Sequence, residues 1–287
     1  MAKKVLFGLL GENLSHSFSP LMFNHYFKKY KPNIRYDLFP VTLKSLPGLL
    51  KRIRESGTIG LNVTVPYKEK IIPFLDELNH DAKKIGAVNV IRNNNGRLKG
   101  YNTDYLGFLK TLEQFNSMNI NKSVILGAGG AARSVIYSFF KLAIRNIIFF
   151  ARKIQKVSDT LAHFTYIPQI KGALWEPDNI KAEIKNSDIA INTTPVGMFP
   201  SEETTPIALD FPVKNQFVAY DLIYNPRTTQ FLKIAQSNGA IIENGQRMLI
   251  YQALESLKIW NKREKLDEEY FIKSSEEVLN ASLSKLR

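Results

Sequence analysis

Two short polar motifs hold residues that could exchange a proton. Lys68 closes Asn62-Val63-Thr64-Val65-Pro66-Tyr67-Lys68, and Asp104 closes Asn102-Thr103-Asp104. A lysine alternates between acid and base only when its surroundings bring its pKa within reach. A neighbouring carboxylate raises that pKa and burial lowers it, so the motifs define a candidate pair without fixing its titration. Taken singly, Lys68 reads as a surface lysine and Asp104 as a helix N-cap. Other polar residues accompany them. Ser17 and Ser19, in Ser15-His16-Ser17-Phe18-Ser19-Pro20, precede a proline-initiated helix, where hydroxyls and free amides can face an anion or Ser19 can cap the helix. Asn62 and Thr64 are predicted at the carboxyl end of a strand, the usual place for ligand groups in such sheets. Asn89, in Gly86-Ala87-Val88-Asn89, is predicted inside an apolar strand, where an unpartnered amide is costly.

A second group of residues suits a nucleotide. Gly127-Ala128-Gly129-Gly130-Ala131-Ala132 follows the apolar strand Ser123–Leu126 and opens an amphipathic helix. This is the Rossmann arrangement, in which glycines allow a tight turn and helix amides receive a pyrophosphate. Binding of NAD usually needs an acid roughly 20 residues on, to accept from the ribose 2′-hydroxyl. Here the next strand ends in Ala151-Arg152-Lys153, with Lys156 one turn later and no acid. Those cations would welcome a 2′-phosphate, so NADP(H) is the expected cofactor. A basic, solvated helix start is the alternative. Arg133, in the first turn of the glycine-loop helix, could meet phosphate or make an ordinary surface pair. None of the four histidines clusters with acids at metal-ligand spacing, and no metal is expected.

The elements that must position these residues alternate. Strands are predicted over 5–10, 36–41 and 60–65, with helices over 20–30, 46–56 and 67–75 between and after them. Segments 87–92 and 97–101 flank Asn93-Asn94-Asn95-Gly96, a hairpin signal that makes the first sheet mixed. A helix over 105–115 leads to a second unit with short, continuously apolar strands at 123–126, 146–151, 188–192 and 217–221. Such runs suit a parallel sheet covered on both faces. A last helix, 246–260, follows Asn244-Gly245 and returns to the first domain. The reading is an α/β chain: a mixed-sheet substrate domain of residues 1–104 completed by 241–287, and a doubly wound Rossmann domain of residues 105–240. The charged stretch 262–287 looks helical and carries no assignable chemistry.

Bulk properties set the bounds. The 287 residues suffice for two domains with real cores, and 44% hydrophobic with 23% charged residues is a globular composition. No window reaches the roughly 18 unbroken apolar residues of a membrane span, so no membrane partner is expected. The run Val5-Leu6-Phe7 stops at Gly11-Glu12-Asn13, too soon for a secretory segment, and reads as a buried first strand. The absence of cysteine excludes disulfides and thiolate chemistry and fits the cytoplasm. A net charge of +13 raises nucleic-acid binding, but the densest basic stretch (Lys28, Lys29, Lys31, Arg35, Lys44, Lys51, Arg52, Arg54) is scattered among apolar residues without a recognition motif. A solvated basic surface is the better reading.

The motifs around Ser17, Lys68, Asn89 and Asp104, in that order, resemble shikimate dehydrogenase, and the resemblance runs from Gly8 to Trp260. It implies NADP-dependent reduction of 3-dehydroshikimate to shikimate, with Lys68 as acid–base group and Asp104 as its orienting partner. It implies that Ser17 and Ser19 bind the substrate carboxylate, and that Thr64, Asn89, Asp104 and Gln252 hydrogen-bond its hydroxyls and reacting oxygen. Members of the family that use quinate well often have glycine in place of one of the serines. On the cofactor side, Thr193, Met198, Leu222, Tyr224, Gly245 and Met248 correspond to the nicotinamide half, although Tyr224 and Met248 also suit core packing. The family usually has Asn-Arg-Thr where this chain has Ala151-Arg152-Lys153, so only Arg152 and Lys156 carry over there. A further glycine is common where Arg247 stands. A monomer or homodimer is implied, and His16 is read as structural. The rival readings are a quinate dehydrogenase using NAD or NADP and a catalytically silent nucleotide- or nucleic-acid-binding protein. Retention of both Lys68 and Asp104 argues against the silent one.

Overall fold

The computed structural model describes residues 4–261 and 265–285. The chain divides into two compact units, one comprising residues up to Gly107 with those from Ile250, the other Phe108–Leu249.

In the first unit the elements run β1 (Lys4–Gly11), α1 (Ser19–Tyr30), β2 (Ile34–Pro40), α2 (Leu46–Glu55), β3 (Gly60–Val63), α3 (Tyr67–Lys70), β4 (Glu77–Leu78), α4 (His80–Ile85), β5 (Val90–Asn94) and β6 (Arg97–Tyr101). The sheet order is β2-β1-β3-β5-β6-β4. Pairs β1–β2 and β1–β3 are parallel, whereas β3–β5 and β5–β6 are antiparallel, so the sheet is mixed as expected. Asn95 and Gly96 close the β5–β6 hairpin with φ of 52° and 89°, the left-handed pair that an Asn-Gly turn supplies. Proline in the first turn starts both α1 and α2, where its missing amide hydrogen costs nothing.

Three expected elements are shorter than the sequence suggested. The helix over 67–75 becomes α3 followed by a 3₁₀ turn at Ile72–Phe74, because Pro73 cannot donate to the preceding turn. Strand β3 ends at Val63, with the Thr64 amide making a last parallel ladder bond to the Leu10 carbonyl at 2.9 Å. Strand β5 begins at Val90, which leaves Asn89 just outside it.

Alternation along β3 places Leu61 and Val63 in the cluster with Leu50, Tyr67 and Ile91. Gly60 and Asn62 face the other way, and any Cβ at Gly60 would collide with the Trp260 indole. On that face Phe23 stacks on Tyr36 at 4.4 Å and Trp260 on Phe7 at 4.9 Å.

The second unit is entered within α5 (Asp104–Leu112), which continues as a 3₁₀ turn at Glu113–Phe115. Then come β7 (Lys122–Leu126), α6 (Gly130–Lys141), β8 (Asn146–Ala151), α7 (Ile154–His163), β9 (Ile170–Leu174), α8 (Pro177–Lys185), β10 (Ile189–Asn192), β11 (Val218–Asp221), α9 (Gln230–Ser237) and β12 (Ile241–Glu243). The order β12-β11-β10-β7-β8-β9 is wholly parallel, the doubly wound 3-2-1-4-5-6 pattern with its switch point between β7 and β10. Both faces are buried: Val124 and Leu126 enter one core cluster and Ile125 the other. Residues 241–249, expected with the first domain, fall here because β12 pairs with β11.

The chain leaves this unit within α10 (Gln246–Trp260) and ends in α11 (Glu268–Lys285). Phe271 of α11 packs on Phe23 and Tyr26 of α1 at 5.9 and 5.4 Å. Residues 262–264 and 286–287 of the charged stretch lie outside the described residues. No described helix is long and apolar enough to cross a membrane.

Candidate active site

In the first unit Lys68, on α3, donates from Nζ to Asp104 Oδ2 at 2.7 Å. The lysine side chain is 16% exposed and the aspartate 6%, so the pair is held largely away from water. Asp104 is the first residue of α5, and Asn102 Oδ1 accepts from the Tyr105 amide at 3.3 Å. Its second oxygen, Oδ1, accepts from Asn89 Nδ2 at 2.9 Å. The same amide nitrogen lies 2.9 Å from Thr103 Oγ1 and 3.2 Å from Gln252 Oε1, while Asn89 Oδ1 accepts from the Thr103 amide at 2.6 Å. Lys68, Asn89, Asp104 and Gln252 therefore share one network, although 163 residues separate Asn89 from Gln252.

Thr103 is a site residue that the sequence reading passed over. It is fully buried, and its hydroxyl donates to the Gln252 carbonyl at 2.9 Å. Ser256, one turn later on α10, donates to the same carbonyl at 2.9 Å and accepts from Asn62 Nδ2 at 2.9 Å. Asn62 Oδ1 in turn accepts from the Tyr36 hydroxyl at 2.8 Å. With both ends of its amide engaged inside the protein, Asn62 supports the site and does not present itself to a ligand. The available signal was Asn62 itself, a polar residue in a strand otherwise buried throughout.

Ser19 is buried within α1, and its amide donates to Ser17 Oγ at 3.3 Å. The N-cap is Phe18, with no side-chain capping bond, so the alternative reading of Ser19 as the cap does not hold. Burial holds the Tyr36 hydroxyl well above its usual pKa, with Ser19 acting in the opposite direction. Thr64 is half-buried just beyond β3, Ser17 is half-buried, and His16 is exposed.

In the second unit Gly127 adopts φ of +121°, and a Cβ there would collide with Thr193 Oγ1. The glycine is required twice over, for its conformation and for its contact. The space beside Gly129 is open, and α6 begins without any side-chain cap, so its first amides are available to an anion. Ala128 is buried, while Gly130 and Ala131 are half-buried at the turn. At the end of β8, Ala151 is buried, Arg152 and Lys153 are exposed and Lys156 is half-buried. Arg152 makes no ion pair among the described residues, and it can receive a phosphate without displacing a partner. Arg133 is not the ordinary surface pair that was one alternative, being 5% exposed with its guanidinium 5.9 Å from the Phe164 ring.

Two loops follow β10 and β11. Thr193 donates to the Leu126 carbonyl at 2.7 Å beside the glycine turn, and Met198 is exposed. Leu222 and Tyr224 are half-buried, Gly245 donates to the Ile223 carbonyl at 3.0 Å, and Met248 is buried in the core. The arrangement can hold a dinucleotide along one unit and present a lysine, a carboxylate and amides to a polyhydroxylated substrate in the other.

Residues 9–91 match the shikimate dehydrogenase substrate binding domain family. The chain is 42% identical to the NADP(+) shikimate dehydrogenase of Carboxydothermus hydrogenoformans over 258 residues, covering 89% of this chain and 91% of that protein. Its fold matches the shikimate 5-dehydrogenase of Thermus thermophilus, solved with NADP(H) and shikimate, at TM-score 0.79 and 27% identity over 97% and 100% of the two chains. It also matches the quinate dehydrogenase of Corynebacterium glutamicum, solved with NAD, at TM-score 0.81 and 25% identity over 96% and 99%.

Proposed function

The chain belongs to the shikimate dehydrogenase family, and from that premise we propose that it interconverts 3-dehydroshikimate and shikimate with NADPH and NADP⁺ in the cytoplasm. The reaction is a step toward chorismate and the aromatic amino acids. When bound, NADPH supplies the hydride that reduces the ketone. Lys68 Nζ gives the proton to the forming hydroxyl and takes it back in the reverse direction. Asp104 Oδ2 fixes that nitrogen, and Asn89 fixes Asp104. Thr64 and Gln252 add polar partners for the substrate's hydroxyls, and Ser17 and Ser19 receive its carboxylate.

For the cofactor, Gly127 to Ala131 and the uncapped start of α6 receive the pyrophosphate, while Arg152 and Lys156 read the 2′-phosphate. Thr193, Met198, Leu222, Tyr224, Gly245 and Met248 form the side for the nicotinamide. The observation that carries the reading is the shared carboxylate, with Lys68 on one oxygen and Asn89 on the other. The test follows reduced-nicotinamide absorbance with shikimate or quinate against NADP⁺ or NAD⁺. Shikimate with NADP⁺ should give the highest kcat/KM, and a preference for quinate with NAD⁺ would replace this reading with the rival one.

A further inference from the structure

Asp221 ends β11 and is fully buried, yet the proton chemistry above does not use it. It stands in register with Asn192, the last residue of the neighbouring parallel strand β10. Its Oδ1 accepts from Asn192 Nδ2 at 3.1 Å and from the Ile223 amide at 3.0 Å, and its Oδ2 accepts from Thr229 Oγ1 at 2.7 Å. Asn192 spends its other end on the loop that follows it, its Oδ1 accepting from the Thr194 amide at 3.0 Å and the Thr194 hydroxyl at 2.7 Å. Thr229 caps α9 by accepting from the Leu232 amide. One carboxylate thus ties together the loop after β10, the loop after β11 and the start of α9.

In a doubly wound sheet the first three strands and their loops carry one nucleotide of the cofactor, and the three beyond the switch point carry the other. The glycine turn and Arg152 belong to β7 and β8, so the adenine side is theirs. The loops that Asp221 ties follow β10 and β11, on the other side of the switch point.

We propose that Asp221 is a positioning residue for the nicotinamide half of the cofactor: it touches neither cofactor nor substrate, and it fixes the two loops against which that half is held. The proposal rests on the cofactor reading given above. A carboxylate suits the task because it only accepts, and three donors converge on it. Loss of those bonds would free both loops locally while leaving β7, β8 and the 2′-phosphate side intact.

The test compares two ligands that share the adenine side, NADP⁺ and 2′,5′-ADP, by calorimetry on the full chain. Asp221→Ala should weaken NADP⁺ roughly tenfold, as expected for losing anchored loop contacts, with 2′,5′-ADP moved less than about twofold. Asp221→Asn should restore most of the loss, since its carbonyl still accepts from Asn192 and Ile223. The amides of residues 193, 194, 196–198 and 222–225 should exchange hydrogen faster in Asp221→Ala, and those of β7 and β8 should not. Should Asp221→Ala not fold, Thr229→Val removes one partner only and should show the same selectivity more weakly. Equal weakening of both ligands, or no weakening of either, overturns the proposal. If the unsubstituted protein binds 2′,5′-ADP but not NADP⁺, or binds neither, the cofactor reading falls first and takes the proposal with it.

Discussion

Asn89 Nδ2 and Asp104 Oδ1 stand 2.9 Å apart, and Lys68 occupies the other oxygen of the same carboxylate at 2.7 Å. Asp104 is therefore fixed from both sides, so the lysine nitrogen has a defined position before any substrate arrives. Preorganisation of this kind is what a proton transfer to a forming alkoxide needs, because no reorientation remains to be done during the reaction.

Lys68→Ala should lower kcat by roughly 10²–10⁴-fold, the usual contribution of a general acid–base group, and change KM far less. Asp104→Ala should damage both parameters, because it removes a substrate partner as well as the lysine's anchor. Steady-state kinetics in both directions decide the matter. A Lys68→Ala enzyme with undiminished kcat would take lysine out of the mechanism.

Thr103→Val preserves shape but deletes the hydroxyl that donates to the Gln252 carbonyl and faces Asn89 Nδ2. Ser256 still serves that carbonyl, so the expected loss of stability is about 1–2 kcal/mol, near that of one buried hydrogen bond. Loosening of Asn89 should lower kcat as well. Urea unfolding and turnover measured on the same preparation test both halves, and a variant unchanged in each would reduce Thr103 to a space-filling residue.

How much of this was legible in the sequence depended on the range of the forces involved. The glycine turn, the Asn95-Gly96 hairpin and β8 were readable because each is set by local conformational preference or by an unbroken apolar run. The two-residue β4 and the three-residue β12 were not, since they exist only through pairing with β6 and β11. The lysine–aspartate pair stood out by its motifs, whereas Thr103 was passed over inside one of them and Ser256 and Tyr36 gave no such sign. Their roles arise where α10 meets the strand ends, far along the chain. Asp221 could have been suspected, because an acid closing a buried apolar strand must find donors nearby.

The Asp221 carboxyl is also a test of stability against pH. Burial raises its pKa from 3.8 to about 6, with Thr229, the Ile223 amide and Asn192 pulling the other way. The folded state therefore holds this proton more tightly than the unfolded state. The group's cost to stability is fully present above about pH 6 and is relieved as pH falls toward 4. A rise of that size corresponds to roughly 3 kcal/mol at most. Relative to Asp221→Asn, which cannot titrate, the unsubstituted protein should lose stability between pH 4 and pH 7. Parallel stability curves for the two proteins over that interval would refute the assignment.

Arg152 is exposed at the end of β8, with no carboxylate partner among the described residues to give up. Arg152→Ala should raise KM for NADP⁺ roughly ten- to a hundredfold, the equivalent of a charge-assisted contact worth about 1.5–3 kcal/mol. NAD⁺ lacks the 2′-phosphate, and its kinetics should scarcely move. Equal damage with both cofactors would make Arg152 a structural residue.

Shikimate should be preferred to quinate by a wide margin, even though the fold matches a quinate dehydrogenase as well as it matches shikimate dehydrogenases. Shikimate has a planar C1 beside its carboxylate, whereas quinate carries an extra hydroxyl on a tetrahedral C1. Ser17 and Ser19 are the residues proposed to meet that carboxylate, and this chain keeps both. Ser19 is buried, with its amide directed to Ser17 Oγ, so the pair has little freedom to withdraw from an added group. A polar group left crowded or unpaired in a closed site costs on the order of 1–3 kcal/mol, which is roughly ten- to a hundredfold in kcat/KM. Ser19→Gly should narrow the gap by admitting the hydroxyl, with the loss falling on shikimate and the gain on quinate. Equal kcat/KM for the two acids in the unsubstituted enzyme would remove the steric argument and favour the quinate reading.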